Sequence, residues 1–489
     1  MPAPDRRAFL SASALAFLDG LPAVRADEAR VVRLDADAEP LVRLIEDTPR
    51  PRLLEEVGAR VKAGLPYRDV LAALFLAGVR NVRPRPSVGF KFHAVLVVNS
   101  AHLASLAGPD RERWLPLFWA LDSFKGAQAD NQRESGWRMG PVDEAKVPPP
   151  HRAAEALAAA LDAWDVDAAD AAAAGVARGV GAAEAFELFA RFGCRDFRDI
   201  GHKAIFVANA FRTLQTIGWP HAEPVLRSLA FALLAHEGTN PAKRDGDPDR
   251  PGRRNREQVA KIRPEWLGGR ADPAAGADVL AAVRAATADE LSDKVVSLLN
   301  GGVGPAAVWD GLFAGAGELL MRQPGIVGLH TLTTLNALRY AYQASGVDAT
   351  RRLLLLQAAA FLPLFRTAMV SRGKVGVARI DALEPVAGGD VAAVFETLSK
   401  DRAAAAGLAL GLLRADPANA RRLTDAGRRL VFLKGTDSHD YKFSSAVLED
   451  HAALGPAWRD RFLAASLFWL KGSAGPDAPV VARARAALA

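Results

Sequence analysis

The chain has 489 residues, half of them hydrophobic, which is ample material for a buried core and excludes global disorder. Aromatic residues make up only 7%, so the apolar content is mostly Ala, Leu and Val, a mixture that favours helices over strands. The net charge of +6 is spread too thinly for a nucleic-acid or membrane-surface partner, and the single cysteine, Cys194, excludes disulfides, Cys-rich zinc modules and iron–sulfur clusters.

The N-terminal segment, MPAPDRRAFLSASALAFLDGLPAVRA, has the pattern of a twin-arginine export signal. Arg6 and Arg7 precede Phe9-Leu10 and a short apolar run, and Val24-Arg25-Ala26 offers a cleavage position. Residues 1–26 are therefore set apart from the fold, and a periplasmic or secreted location is expected, or a cytoplasmic one if the signal is not used. Beyond them no apolar run is long enough to span a bilayer. The stretches Leu71–Val79 and Leu353–Leu364 read as buried helices, and no integral membrane segment is expected.

From residue 27 onward the dominant signal is internal repetition. Three phrases recur in order. The first is KAGLPYRDVLAALFLAG, then ARGVGAAEAFELFARFG and NGGVGPAAVWDGLFAGAG, with DPANARRLTDAGRRLVF keeping the helix but not the glycine turn. The second is GFKFHAVLVVNSAHLASLAGPD, GHKAIFVANAFRTLQTIGWP, GLHTLTTLNALRYAYQASGVD and SHDYKFSSAVLEDHAALGPA. The third is an amphipathic helix: RERWLPLFWALDSF, AEPVLRSLAFALLAH, TRRLLLLQAAAFLPLF and WRDRFLAASLFWLK. His202, His330 and His439 each precede a glycine (Gly218, Gly346, Gly455) by 16 residues. The first copy has Phe92 and Gly108 at that interval, with His93 one place later. The glycines read as left-handed helix stops. Apolar residues recur at three- and four-residue steps throughout, so the expected fold is all-α, with twelve to twenty helices. It divides into four quasi-equivalent units of about four helices: 27–150, 151–257, 258–385 and 386–489. They stack as a solenoid or close as a toroid. Charged or Pro-rich stretches at Val147–Pro150, Arg244–Arg256 and Arg372–Gly389 read as linkers between units.

A histidine at the same place in successive units points to one shared site, because units packed around an axis bring equivalent positions together. His93, His202, His330 and His439 are the expected metal ligands, and imidazole sets suit iron, copper, zinc or nickel, with iron the leading candidate. His102 lies nine residues beyond His93, about 180° around a helix, and His451 twelve beyond His439, about 120° away, so neither shares the pocket. One helical face further on stand Asn99, Asn209, Ala337 and Ala446. Tyr340, Tyr441, Lys442 and Asn209 are the candidate catalytic residues, with Lys91, Lys203 and Arg212 as further donors. His151, His221 and His236 fall outside the repeat position and read as surface or satisfied residues. Cys194 reads as core, and the basic run Lys243–Arg256 as a solvated linker. No flavin or nicotinamide fingerprint is present, nor any GxSxG, HExxH or Walker sequence.

The phrases GLHTLTTLNALR, HDYKFSSAVLED and GFKFHAVLVVNSAHL resemble the His-bearing helices of questin oxidase-like proteins, over about a third of the chain. The resemblance implies an oxidoreductase, oxygenase-like, related to enzymes that open an anthraquinone ring by Baeyer–Villiger-type oxygenation. Its site would be lined by the four repeat histidines. The expected function is thus an exported, His-lined oxidoreductase acting on a small organic, quinone- or ketone-like, substrate. The competing expectation is a non-enzymatic helical scaffold that binds a protein or peptide.

Overall fold

A computed structural model describes residues 31–84 and 92–489; the segment read above as an export signal and Lys91 lie outside the described residues. Among those residues 73% are helical, in 22 helices, and no strand forms, so the all-α expectation holds and the helix number exceeds the expected range.

Helix α1 (Arg50–Lys62) starts directly after Pro49, and α2 (Tyr67–Asn81) after Pro66, where a missing N–H costs nothing. A four-residue turn, His93–Leu96, runs into α3 (Val98–Ala107), which is followed by α4 (Leu115–Glu134). Next come α5 (Ala182–Gly193), α6 (His202–Ile217), α7 (Ala222–Leu233) and α8 (Arg250–Gln258). The second half supplies α9 (Pro305–Arg322), α10 (Ile326–Ala344), α11 (Asp348–Val370), α12 (Asn419–Lys434), α13 (Ser438–Ala453), α14 (Arg459–Ser466) and α15 (Pro479–Leu488).

Helices α3, which follows the turn carrying His93, α6, α10 and α13 pack as a closed ring, each against its two neighbours. The helix before each (α2, α5, α9, α12) and the helix after each (α4, α7, α11, α14) pack on it from outside. A polar cross-link spans every interface of the ring. Asn209 donates to the Leu96 carbonyl (2.9 Å), Arg212 to Asn336 (3.3 Å), Asn336 to Asp450 (3.0 Å) and Ser445 to the Ser100 carbonyl (3.2 Å). These buried amides and hydroxyls need partners away from water, so each link also fixes the register of two helices. The main hydrophobic core is one continuous cluster reaching from Val42 to Ala487, not four separate cores. The last helix, α15, returns to pack on α1 and α4, with the Ala487 backbone so close to Gly58 that a Cβ there would lie 2.3 Å from its carbonyl oxygen.

Two local expectations need correction, and a third holds. Arg244–Arg256 is not simply a linker, because residues from Arg250 form α8. Asn255 donates to Gln357 (2.8 Å) there, and Gly252 lets the helix press onto the Arg195 carbonyl. Of the four glycines ending the histidine segments, only Gly218 has a left-handed backbone (φ 111°). The Gly346 and Gly455 N–H groups instead donate to the carboxylates of Glu187 (2.6 Å) and Asp310 (3.0 Å). Finally, α11 is long and apolar enough to cross a membrane by length and composition, but most of it is buried within the fold. The stretch Leu353–Leu364 is thus the buried helix expected, and no clear integral membrane segment emerges among the described residues.

Candidate functional site

The ring places all four repeat histidines at the same end of the bundle, where their imidazoles meet. His93 and His202 bring their Nε2 atoms within 3.0 Å, and His202 and His330 within 3.1 Å. Each of these three residues offers a ring nitrogen within 4.8 Å of the other two. His439 packs beside these three, its ring centroid 4.5 Å from His93 and 5.2 Å from His330, but its nitrogens fall outside the set that lies within 4.8 Å. His93 and His330 lie farthest apart of the ring pairs in contact, at 6.4 Å, so the imidazoles follow the order of their helices around a square. All four are buried.

What holds each ring also fixes its proton. The Nδ1 of His202 meets the Asp199 carbonyl at 2.5 Å, and that of His330 meets the Ile326 carbonyl at 2.6 Å. A carbonyl only accepts, so both Nδ1 atoms carry hydrogen, and in the neutral rings both Nε2 atoms are bare lone pairs. His439 Nδ1 lies 3.3 Å from the Asp437 carboxylate, which likewise turns its Nε2 away from that partner. Two bare nitrogens at 3.1 Å repel unless a cation stands between them. Burial holds His202 and His330 well below the usual imidazole pKa, Lys442 adding to it, so a shared proton is disfavoured. The arrangement therefore fits a metal ion. Two nitrogens each about 2.1 Å from one ion stand about 3.0 Å apart at a right angle, and about 3.4 Å apart at the tetrahedral angle. The observed contacts of 3.0 and 3.1 Å lie in the range that imidazoles sharing one ion span.

The backbone before His202 is unusual. Asp199 (φ 59°), Ile200 (φ 47°) and Gly201 (φ 83°) are left-handed in succession, and for the β-branched Ile200 this is a strained conformation. The turn aims the Asp199 carbonyl at the imidazole. It is clamped from α10, where Thr334 donates to the Ile200 carbonyl (3.3 Å). On α13, Asp437 caps the helix by accepting from the His439 N–H (2.7 Å) as well as facing its ring. Burial opposes the Asp437 charge, but His439 outweighs it and holds the carboxyl below its ordinary range.

The four candidate catalytic residues separate. Lys442, one helical turn after His439, is fully buried and its Nζ has no hydrogen-bond partner. It interacts electrostatically with His202, His330 and His439, and burial pushes its pKa down to about 7. Asn209 is buried inside the ring, where it binds the Leu96 carbonyl and accepts from Asn99 (3.4 Å). Tyr441 is turned away, stacked on Trp119 with ring centroids 4.2 Å apart, and burial raises its phenol pKa. Tyr340 lies ten residues beyond His330, roughly 15 Å along α10, under the Arg212 guanidinium. Lys203 is paired with Asp196 (3.0 Å) and Arg212 with Glu449 (2.9 Å), both away from the imidazoles. His102 is bound by Tyr67 (3.2 Å) and Thr216, and neither it nor His451 joins the cluster. His151 and His236 are exposed, and His221 pairs with Asp35 (3.2 Å). Cys194 is buried, its thiol pushed up to about 12.

Sequence reasoning missed Asp437, Trp119 and the carbonyls of Asp199 and Ile326. Asp437, two places before His439 at a helix start, was the one with a readable signal. No protein-family model, curated protein or solved structure matches the chain.

Proposed function

We propose that this protein is an oxidoreductase whose site is a transition-metal ion held by His93, His202, His330 and His439, acting on a small organic substrate. The observation that carries the reading is the pair of bare Nε2 atoms on His202 and His330, whose protons are fixed on the far side of each ring by backbone carbonyls. Iron leads the candidates, since oxygen chemistry needs a redox-active partner in a chain with no flavin or nicotinamide fingerprint. When bound, such an ion would supply one-electron chemistry toward oxygen. Lys442, with a pKa near neutrality, would take up or release a proton beside it. The likeness of the histidine segments to questin oxidase-like proteins supports the oxygenase class and a quinone- or ketone-like substrate.

In this reading the four units are quasi-equivalent copies, each giving one ring helix and one imidazole. The Arg6-Arg7 signal would export the folded, metal-loaded protein. A scaffold for a protein partner is the competing reading, but it gives no reason for four buried imidazoles to converge. Metal analysis of protein purified without affinity-tag metals tests the proposal. About one equivalent of iron or another transition metal is expected, and less than about a tenth of an equivalent overturns it, because converging imidazoles hold such ions tightly.

A further inference from the structure

The histidine cluster is not closed on all sides. A cleft of about 230 Å³ lies between α4, the start of α13 and Arg50, and His93 and His439 form its inner wall. Three larger cavities, of about 320, 580 and 450 Å³, touch none of the four imidazoles. One face of α4 lines the cleft at helical spacing, with Trp119, Ser123, Gly126 and Asp130 in sequence. Gly126 sits inside a helix, where glycine costs about 1 kcal/mol relative to alanine. Packing does not demand it, since a Cβ there would meet only the Arg50 guanidinium, at 3.7 Å. Its missing side chain instead keeps the cleft open.

The charges on the walls are unevenly partnered, the Asp437 carboxylate facing an imidazole whose own protonation burial disfavours. Asp122 is held by Arg50 and by Arg483 of α15, both at 2.7 Å, while Asp130 pairs with Arg133 and Asp437 with His439. What remains for a ligand is the edge of Trp119 and the hydroxyls of Ser123, Thr436 and Ser438.

We infer that this cleft is the substrate entrance to the histidine site, admitting a neutral, single-ring-sized organic molecule with hydrogen-bonding oxygens, and excluding fused polycyclic or anionic ones. The volume is below the range typical of drug-sized ligands, which sets the size limit. The one arginine lining the cleft, Arg50, is already held by Asp122, and the Asp437 carboxylate beside the imidazoles repels an anion. The inference rests on the reading that the imidazoles are the reactive site, but its test requires no metal.

The experiment labels the metal-free full chain with diethyl pyrocarbonate and follows each histidine by peptide mass spectrometry. His439 and His93 should react ahead of His202 and His330. Gly126→Trp should slow them at least tenfold while His151 and His236 react unchanged. Ser123→Leu, a milder obstruction, gives the same direction if the tryptophan variant does not fold. Unchanged labelling of His439 in a folded variant, or equal reactivity of all four imidazoles, overturns the entrance. Protection then tests the ligand class. Cyclohexanone should shield His439 at a concentration at least ten times lower than benzoate or the three-ring ketone anthrone. Protection by anthrone or benzoate at equal or lower concentration overturns the size and charge limits. A protein that holds no metal yet shows the expected labelling separates failure of the metal reading from failure of the entrance.

Discussion

At the scale of single residues, the fate of one proton per imidazole carries most of the chemistry. The Nδ1 bonds of His202 and His330 to carbonyls leave lone pairs facing each other inside the ring, an arrangement that gains stability only when a cation joins it. His330→Ala should therefore lower metal affinity by at least 10–100-fold, while changing the stability of the metal-free protein by roughly 1–3 kcal/mol. His151→Ala, on the exposed surface, should do neither; titration with a competing chelator compares them. Equal affinity in His330→Ala and the parent protein would remove this imidazole from the ligand set.

Lys442 gives the residue scale a pH signature. Burial depresses its pKa from 10.5 to about 7, so between those values the unfolded chain binds more protons than the folded one. Stability of the metal-free protein should rise with pH across that window, by up to about 1.4 kcal/mol per unit from this group. The contribution is complete above about 10.5 and falls away toward 7. Lys125 and Lys203, also depressed by burial, add slopes of their own, so the comparison is with Lys442→Met. That variant should show a visibly shallower rise in urea midpoint between pH 7 and 9. An unchanged slope means that Lys442 titrates as it does in water. The sequence placed this lysine one helical turn after a repeat histidine, which is why it was legible. Tyr340 and Tyr441 looked equally suitable by proximity in the chain, but which way an aromatic ring turns is decided by Trp119, Phe186 and Arg212, partners far away in sequence.

At the scale of elements, the left-handed turn Asp199-Ile200-Gly201 was not legible in the sequence, because Asp and Gly tolerate positive φ but the β-branched Ile200 between them argues against a left-handed run. Its support comes from Thr334 on a different helix. Gly201→Ala should be costly for two separate reasons. The left-handed backbone (φ 83°) disfavours any Cβ, and the new Cβ would lie 2.1 Å from the Thr334 hydroxyl oxygen. Gly64 shares the first reason (φ 98°) but has nothing within 4 Å, so Gly64→Ala isolates the backbone strain, about 1–2 kcal/mol. Urea unfolding should show Gly201→Ala losing clearly more than Gly64→Ala, accompanied by weaker metal retention as the His202 ring loses its carbonyl. Equal losses would mean that the turn adapts and does not position the imidazole. The helices themselves were readable from their apolar spacing and prolines. Segment Arg250–Gln258 escaped because its charge and glycine look like a linker until Asn255 and Gly252 meet their buried partners.

At the scale of the whole molecule, convergence of the four histidines followed from their repeated interval, but a closed ring did not. It closes where α13 meets α3, Ser445 on Ser100, and outside the ring Gly58 against Ala487 and Arg483 against Asp122 join the two ends of the described chain. The continuous core from Val42 to Ala487 means that no unit has a separate interior to retain when its neighbours unfold. Thermal unfolding of the metal-free protein should accordingly be one transition by both calorimetry and far-ultraviolet circular dichroism. Because the proposed ligands come from three ring helices and from the turn that leads into the fourth, spread along the chain, an ion bound only by the folded ring stabilises all of it at once. Metal at a hundred times its dissociation constant should add about 2.7 kcal/mol and raise that single transition, while the same addition to His330→Ala raises it much less. Two resolved transitions, only one of them shifted by metal, would show that the units unfold independently and that the ring is a docked assembly of separate parts.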